Sequence, residues 1–250
     1  MSLRVLALVA LALGPATLAA QVGPEPAKSP YRDIRPGFTV SFTGSRLGGD
    51  GGSLRLGPQG GTSYGARFDL RANKFLGLAL GVSQMTGMER FVQDPFVPRA
   101  QRVRGPYAQT VSLVEAGFQF NVTGGKTWRR LAPFVSLTAG LALGSSLPTD
   151  TAQARLQGIP VDTTGYAFGN KFTVIPAIGV RAFLTPSVHL RLEAALINWR
   201  LGYPTSFLQD PPGEPGLPAG ANAIITDRTF NGEWTTVPRL SIGLGIPFGL

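Results

Sequence analysis

The stretch VHLRLEAAL, residues 188–196, alternates without a break. Val188, Leu190, Leu192, Ala194 and Leu196 fall on one side, and His189, Arg191, Glu193 and Ala195 on the other. A period of two belongs to a β-strand with two different faces. One face here is uniformly aliphatic and the other carries charge. The fold depends on what each face touches.

Seven further segments repeat the pattern. GFTVSFTG puts Phe38, Val40 and Phe42 against Thr39, Ser41 and Thr43. SYGARFDLRA opposes Phe68 and Leu70 to Arg67, Asp69 and Arg71, and FLGLALGVS opposes leucines to Gly77, Ala79, Gly81 and Ser83. SLVEAGFQFNV sets Glu115, Gly117, Gln119 and Asn121 behind Val114, Phe118 and Phe120. PFVSLTAGLALG, FTVIPAIGVRAFL (with Arg181 on its polar face) and RLSIGLGIPFGL (with Arg239) complete the set. The parity slips near Tyr107–Ser112, which predicts a bulge there.

The connections alternate in length. Those at 72–74 and 185–187 are tight, with Asn73 and Pro186 as turn residues, and 123–131 is moderate. Those at 47–61, 87–106, 145–170 and 203–232 are long and rich in Gly, Pro, Asp and Asn. Short alternating with long is expected of an up-and-down meander. Face parity makes the turn at 185–187 odd in length, which pairs 184 with 188 and sets Arg181 beside Arg191.

A soluble sandwich or lipocalin-like barrel also alternates, but its outward face carries Lys, Glu, Gln and Thr. Here the non-aliphatic face is mostly Gly, Ala, Ser and Thr. Glycine supplies 33 of 250 residues, about twice the usual share. A solvated surface has no use for that, whereas the cramped interior of an eight-stranded barrel does. The fold class read from the sequence is therefore all-β: a closed antiparallel up-and-down transmembrane barrel of eight strands. Closure removes every unpaired strand edge from hydrocarbon. The aliphatic face meets lipid, and Arg191 and Glu193 face the lumen. Phe75, Phe120, Trp128 and Phe248 at the short-turn end, and Tyr64, Tyr107, Phe172, Trp199, Tyr203 and Trp234 at the long-loop end, are read as two aromatic girdles.

The leader and composition agree with export. Arg4 precedes nine apolar residues, Val5–Leu13, then Gly14–Pro15 and small residues up to Ala19–Ala20. That layout reads as a cleaved signal peptide over 1–20, too short in its apolar core to span a bilayer. Residues 21–35, QVGPEPAKSPYRDIR, read as a flexible periplasmic lead-in, and 36–250 as the barrel. No cysteine is present, which excludes a lipoprotein anchor and a disulfide framework. The 23 Lys and Arg against 14 Asp and Glu favour anionic partners, and export excludes nucleic acid among them.

The final residues GLGIPFGL place Gly245, Phe248 and Leu250 in a pattern that resembles the C-terminal assembly signal of bacterial outer-membrane barrels. The segment from 36 on resembles the small OmpA/OmpX-like outer-membrane class. The resemblance implies a bacterial outer-membrane location, a monomer, and handling by the barrel-assembly machinery. One departure is the terminal Leu250, where the family ends on an aromatic. Some small outer-membrane barrels are lipid A deacylases with a His-x-Ser constellation and a nearby Glu; here the single histidine is His189, and position 191 is Arg. No enzyme, metal site or cofactor is therefore expected. The expected role is a structural or surface-interaction barrel presenting long loops. The alternative is a narrow path for small, anionic solutes, and a lipid A-modifying enzyme is more distant.

Two groups of charged residues remain. Arg67, Asp69, Arg71, Glu115, Arg181, Arg191, Glu193 and Arg239 share the inward face and are expected to form an ion-pair network that closes the lumen, with Glu115 and Glu193 bridging the arginines. Arg90, Arg99, Arg102 and Arg104, with Phe91 and Phe96 among them, suit the phosphates of lipopolysaccharide at the outer rim.

Overall fold

Eight strands form a closed ring. The structure, a computed structural model, describes residues 29–34, 37–95, 99–145, 167–208, 223–227 and 229–248. The barrel belongs wholly to the unit Tyr31–Leu250. Its strands are β2 (Phe38–Leu47), β3 (Thr62–Arg71), β4 (Leu76–Gln93), β5 (Val103–Asn121), β7 (Leu131–Gly144), β8 (Asn170–Thr185), β9 (Val188–Gly202) and β10 (Gly232–Phe248). Each pairs antiparallel with its neighbour in sequence, and β10 pairs with β2 from Phe248↔Phe38 to Arg239↔Leu47. That last ladder removes the sheet edge.

The outer surface is hydrocarbon. Phe42, Leu80, Leu137, Ile178 and Leu240 are between 53% and 66% exposed, whereas Arg67, Asp69, Glu115, Arg191, Glu193 and Arg239 are all buried. A protein in water rarely exposes so continuous an apolar belt, and a lipid-facing barrel requires one. Phe38 stacks on Phe248 and Phe75 on Phe120 at the short-turn end, with ring centroids 5.2 Å and 6.0 Å apart. At the other end Tyr64, Tyr107, Phe172 and Trp234 are exposed. Trp199 is fully buried and Tyr203 packs against the same inner cluster, so neither belongs to a girdle. Trp199 follows the inward parity of β9, and Tyr203 lies just past the end of that strand.

Three other expectations need correction. The residues before the barrel are not all a lead-in: β1 (Tyr31–Asp33) pairs with β6 (Lys126–Trp128) inside the 122–130 connection. Ile34 behind it is buried, and its N–H donates to the Gly125 carbonyl at 2.8 Å. Strands β4 and β5 reach 18 and 19 residues, so the 87–106 connection is mostly a hairpin and its loop shrinks to 94–102. The β4–β5 ladder is irregular where Met85/Met88 face Val111/Gln109 and again where Arg90/Val92 face Tyr107/Arg104, which is where the parity of the sequence slips. Finally, Thr185 pairs with Val188, leaving a two-residue turn, and the extra residue is taken up by an irregularity between Phe183 and Thr185. Arg181↔Arg191 is nevertheless in register as expected, because bulge and shorter turn compensate.

Candidate functional site: the barrel lumen

Large and small side chains alternate around the ring, which is what lets a narrow barrel hold charge. One rung runs Ser41–Arg67–Gly81–Glu115–Gly140–Thr173 across six strands. Each long side chain sits between residues with little or none. A Cβ on Gly81 would lie 2.9 Å from Glu115 Cγ, and one on Gly245 2.3 Å from His189 Nε2. These two glycines are small because the neighbouring polar side chain occupies their space.

Arg67 Nε donates to Asp69 at 2.9 Å, and Arg191 reaches Asp69 at 3.2 Å and Glu193 at 2.6 Å. Arg239 bridges Glu193 at 3.2 Å and Glu115 at 3.4 Å, while the Thr138 hydroxyl donates to Glu115 at 2.8 Å. Arg191 also donates to Gln119 at 3.1 Å and lies 4.1 Å from the centroid of the Phe134 ring. Six of the eight lumen residues named from the sequence, Arg67, Asp69, Glu115, Arg191, Glu193 and Arg239, thus share one connected set. Arg181 is joined through Asn121 Oδ1 at 2.5 Å rather than through a carboxylate. Arg71 donates to the Ile34 carbonyl at 2.9 Å and so ties the barrel base to the segment behind β1. Phe134, Gln119 and Thr138 were not singled out by sequence, although all three lie on inward parity.

Toward the long loops the lumen changes character. Leu113, Ile197, Trp199, Leu201, Val237 and Met85 project from the strands into one buried cluster. Three loops add to it: Leu56 from 48–61, Phe168 from 145–169, and Phe207 and Ile225 from 203–231. Phe168 meets Trp199 edge-on at 5.2 Å. The 48–61 loop is held over the mouth by paired backbone bonds between Gln59 and Glu89 and by Arg55 against the Phe91 ring at 4.3 Å. Its turn needs glycine at 51, where φ is +75° and a Cβ would come 2.7 Å from the Gly57 carbonyl. The expectation of a mostly small and polar inner face does not extend to this level. Over residues 197–201 the inward side chains are apolar and the outward Asn198 and Arg200 polar, so the contrast that marks the inside is reversed there.

The rim arginines divide. Arg90 and Arg102 are buried, Arg99 is exposed, and Arg104 is half-exposed and 3.4 Å from Asp94. Phe96 and Leu250 lie outside the described residues. Gly245 faces the lumen and Phe248 faces out. His189 is buried at the lumen base, 5.1 Å from the Phe183 ring, with no hydrogen-bond partner on either ring nitrogen among the described residues. Among those residues no three His, Asp or Glu side chains gather as a metal site.

No protein-family profile and no curated protein matches the chain. Among solved structures it is similar to the Neisserial surface protein A, with a TM-score of 0.47 at 14% identity over 84% of this chain and 97% of that one. It is similar also to the outer-membrane protein OprG from Pseudomonas aeruginosa, with a TM-score of 0.47 at 12% identity over 87% and 99%. The attachment invasion locus protein Ail of Yersinia pestis gives 0.39 at 11% identity over 87% and 100%.

Proposed function

We propose that this chain is a non-catalytic barrel of the bacterial outer membrane whose lumen is shut and whose four long connections form its working surface. The observation that carries this reading is the filling of the lumen at two successive levels. The ionic set occupies the middle, and above it the apolar cluster draws Leu56, Phe168, Phe207 and Ile225 inward from three of the loops. A barrel that spends its loops' apolar side chains on closing its own mouth favours surface presentation over conduction. The narrow-channel alternative has no comparable support.

The long connections face the cell exterior and the turns at Asn73 and Pro186 face the periplasm, after export through a cleaved leader. Arg99 and Arg104 are the rim guanidiniums that remain accessible for lipopolysaccharide phosphates, whereas Arg90 and Arg102 are buried. Protease added to intact cells tests the topology. Cleavage within 203–231 is expected without permeabilisation, and cleavage that requires permeabilisation contradicts the reading. Replacing Arg99 and Arg104 with glutamine is expected to reduce co-purifying lipopolysaccharide; an unchanged amount removes the lipid contact but not the barrel.

A further inference from the structure

At the base of the lumen the charges do not balance. Arg67, Arg191 and Arg239 are matched by Asp69, Glu115 and Glu193, every one of which is engaged. Arg181 is left over. It is 5% exposed, makes no ion pair among the described residues, and its Nε has no acceptor there. Its Nη2 shares the one oxygen of Asn121 Oδ1 with Gln119 Nε2, which donates at 3.0 Å. Arg191, in register beside it, is itself a cation. Arg71, across the lumen base, spends one nitrogen on a backbone carbonyl and meets no carboxylate among the described residues. Donors therefore outnumber acceptors, and a buried guanidinium without a counter-charge is costly.

A cavity of about 20 Å³ lies between these groups, lined by Arg71, Arg181, Thr39, Asp69, Gln119 and Asn121. A single water needs roughly 10–15 Å³, so the space suits one small guest. Asp69 forms its ion pairs with Arg67 and Arg191, one oxygen each, and none with Arg181. We propose that this cavity binds one monovalent anion of halide size, held between the Arg181 and Arg71 guanidiniums with the Thr39 hydroxyl as a further donor. The anion supplies the charge that Arg181 lacks and lets Arg181 and Arg191 lie side by side. It is a structural ligand of the lumen base and is independent of what the loops do.

The refolded barrel in detergent tests this with chloride and bromide as probes. At fixed ionic strength, exchanging gluconate for chloride is expected to raise the unfolding midpoint by about 2–4 °C, because the anion binds only the folded lumen. The shift is expected to shrink in Arg71→Gln and in Arg181→Gln, which retains a donor for Asn121. Crystals soaked in bromide are expected to show an anomalous peak between the two guanidiniums. Equal midpoints in chloride and gluconate, an undiminished shift in Arg71→Gln, or a bromide soak without that peak each overturn the site; the last two need no folded Arg181 variant.

Discussion

Glu115 and Leu113 are two residues apart on the same face of β5, yet they belong to different interiors. Around Glu115 the lumen is held by ion pairs between strands far apart in sequence. Around Leu113 it is hydrocarbon, and the loops reach in to complete it. The lower layer is built wholly from strands, so its geometry is fixed by register. The upper layer borrows Leu56, Phe168, Phe207 and Ile225 from connections. The difference teaches that one narrow barrel can be filled by two kinds of chemistry. Each has its own demand: charges need every partner present, whereas apolar side chains need only volume.

That contrast can be broken at the ionic layer first. Glu193 contacts Arg191, Arg239 and Arg67, at 2.6, 3.2 and 3.9 Å. Glu193→Ala leaves several buried guanidiniums short of charge and is expected to cost about 3–5 kcal/mol of unfolding free energy in detergent. The loss is expected to be nearly independent of salt, since buried pairs are poorly screened. A loss below 1 kcal/mol by denaturant titration would show that the layer tolerates missing partners.

In the apolar layer, Leu56→Ala is expected to cost about 2 kcal/mol, near the low end for a buried leucine, because a loop can settle into the space. Unlike Glu193→Ala, it is expected to be rescued by Leu56→Met, which restores volume without restoring shape. Failure of the methionine variant to recover most of the loss would mean that this layer, too, depends on exact partners. The smallest effect belongs to the rim. Arg104 is half-exposed beside Asp94, and Arg104→Ala is expected to change stability by less than about 1 kcal/mol, in a manner that salt abolishes.

The lower layer was legible in sequence and the upper was not, for a physical reason. In VHLRLEAAL the faces differ in polarity, so period two reveals both the strand and its inside. In INWRL, residues 197–201, the inward Ile197, Trp199 and Leu201 alternate with outward Asn198 and Arg200, so the polarity is reversed. Asn198 donates to the Val174 carbonyl and accepts from Thr236 near the edge of the apolar belt. The reversal marks where β9 leaves lipid, and only the continuous parity from His189 onward would have disclosed it. The β1–β6 pairing was hidden differently. Three residues, YRD, carry too little pattern to announce a strand, and their partner lies inside what read as a turn. Arg181's lack of a carboxylate was also beyond reach of the sequence, since face assignment says which residues are inside but not which of them touch.

The central claim is that two layers in series close the lumen, and planar-bilayer conductance tests it most directly. The wild-type barrel is expected to be electrically silent, and so is a variant with Leu56, Phe168 and Phe207 all replaced by alanine, because the Glu115–Arg239–Glu193–Arg191 chain still spans the middle. Adding Glu115→Ala to that variant is expected to produce steady small-conductance openings. Openings in the wild type, or silence in the combined variant while it remains folded, would contradict closure by these two layers.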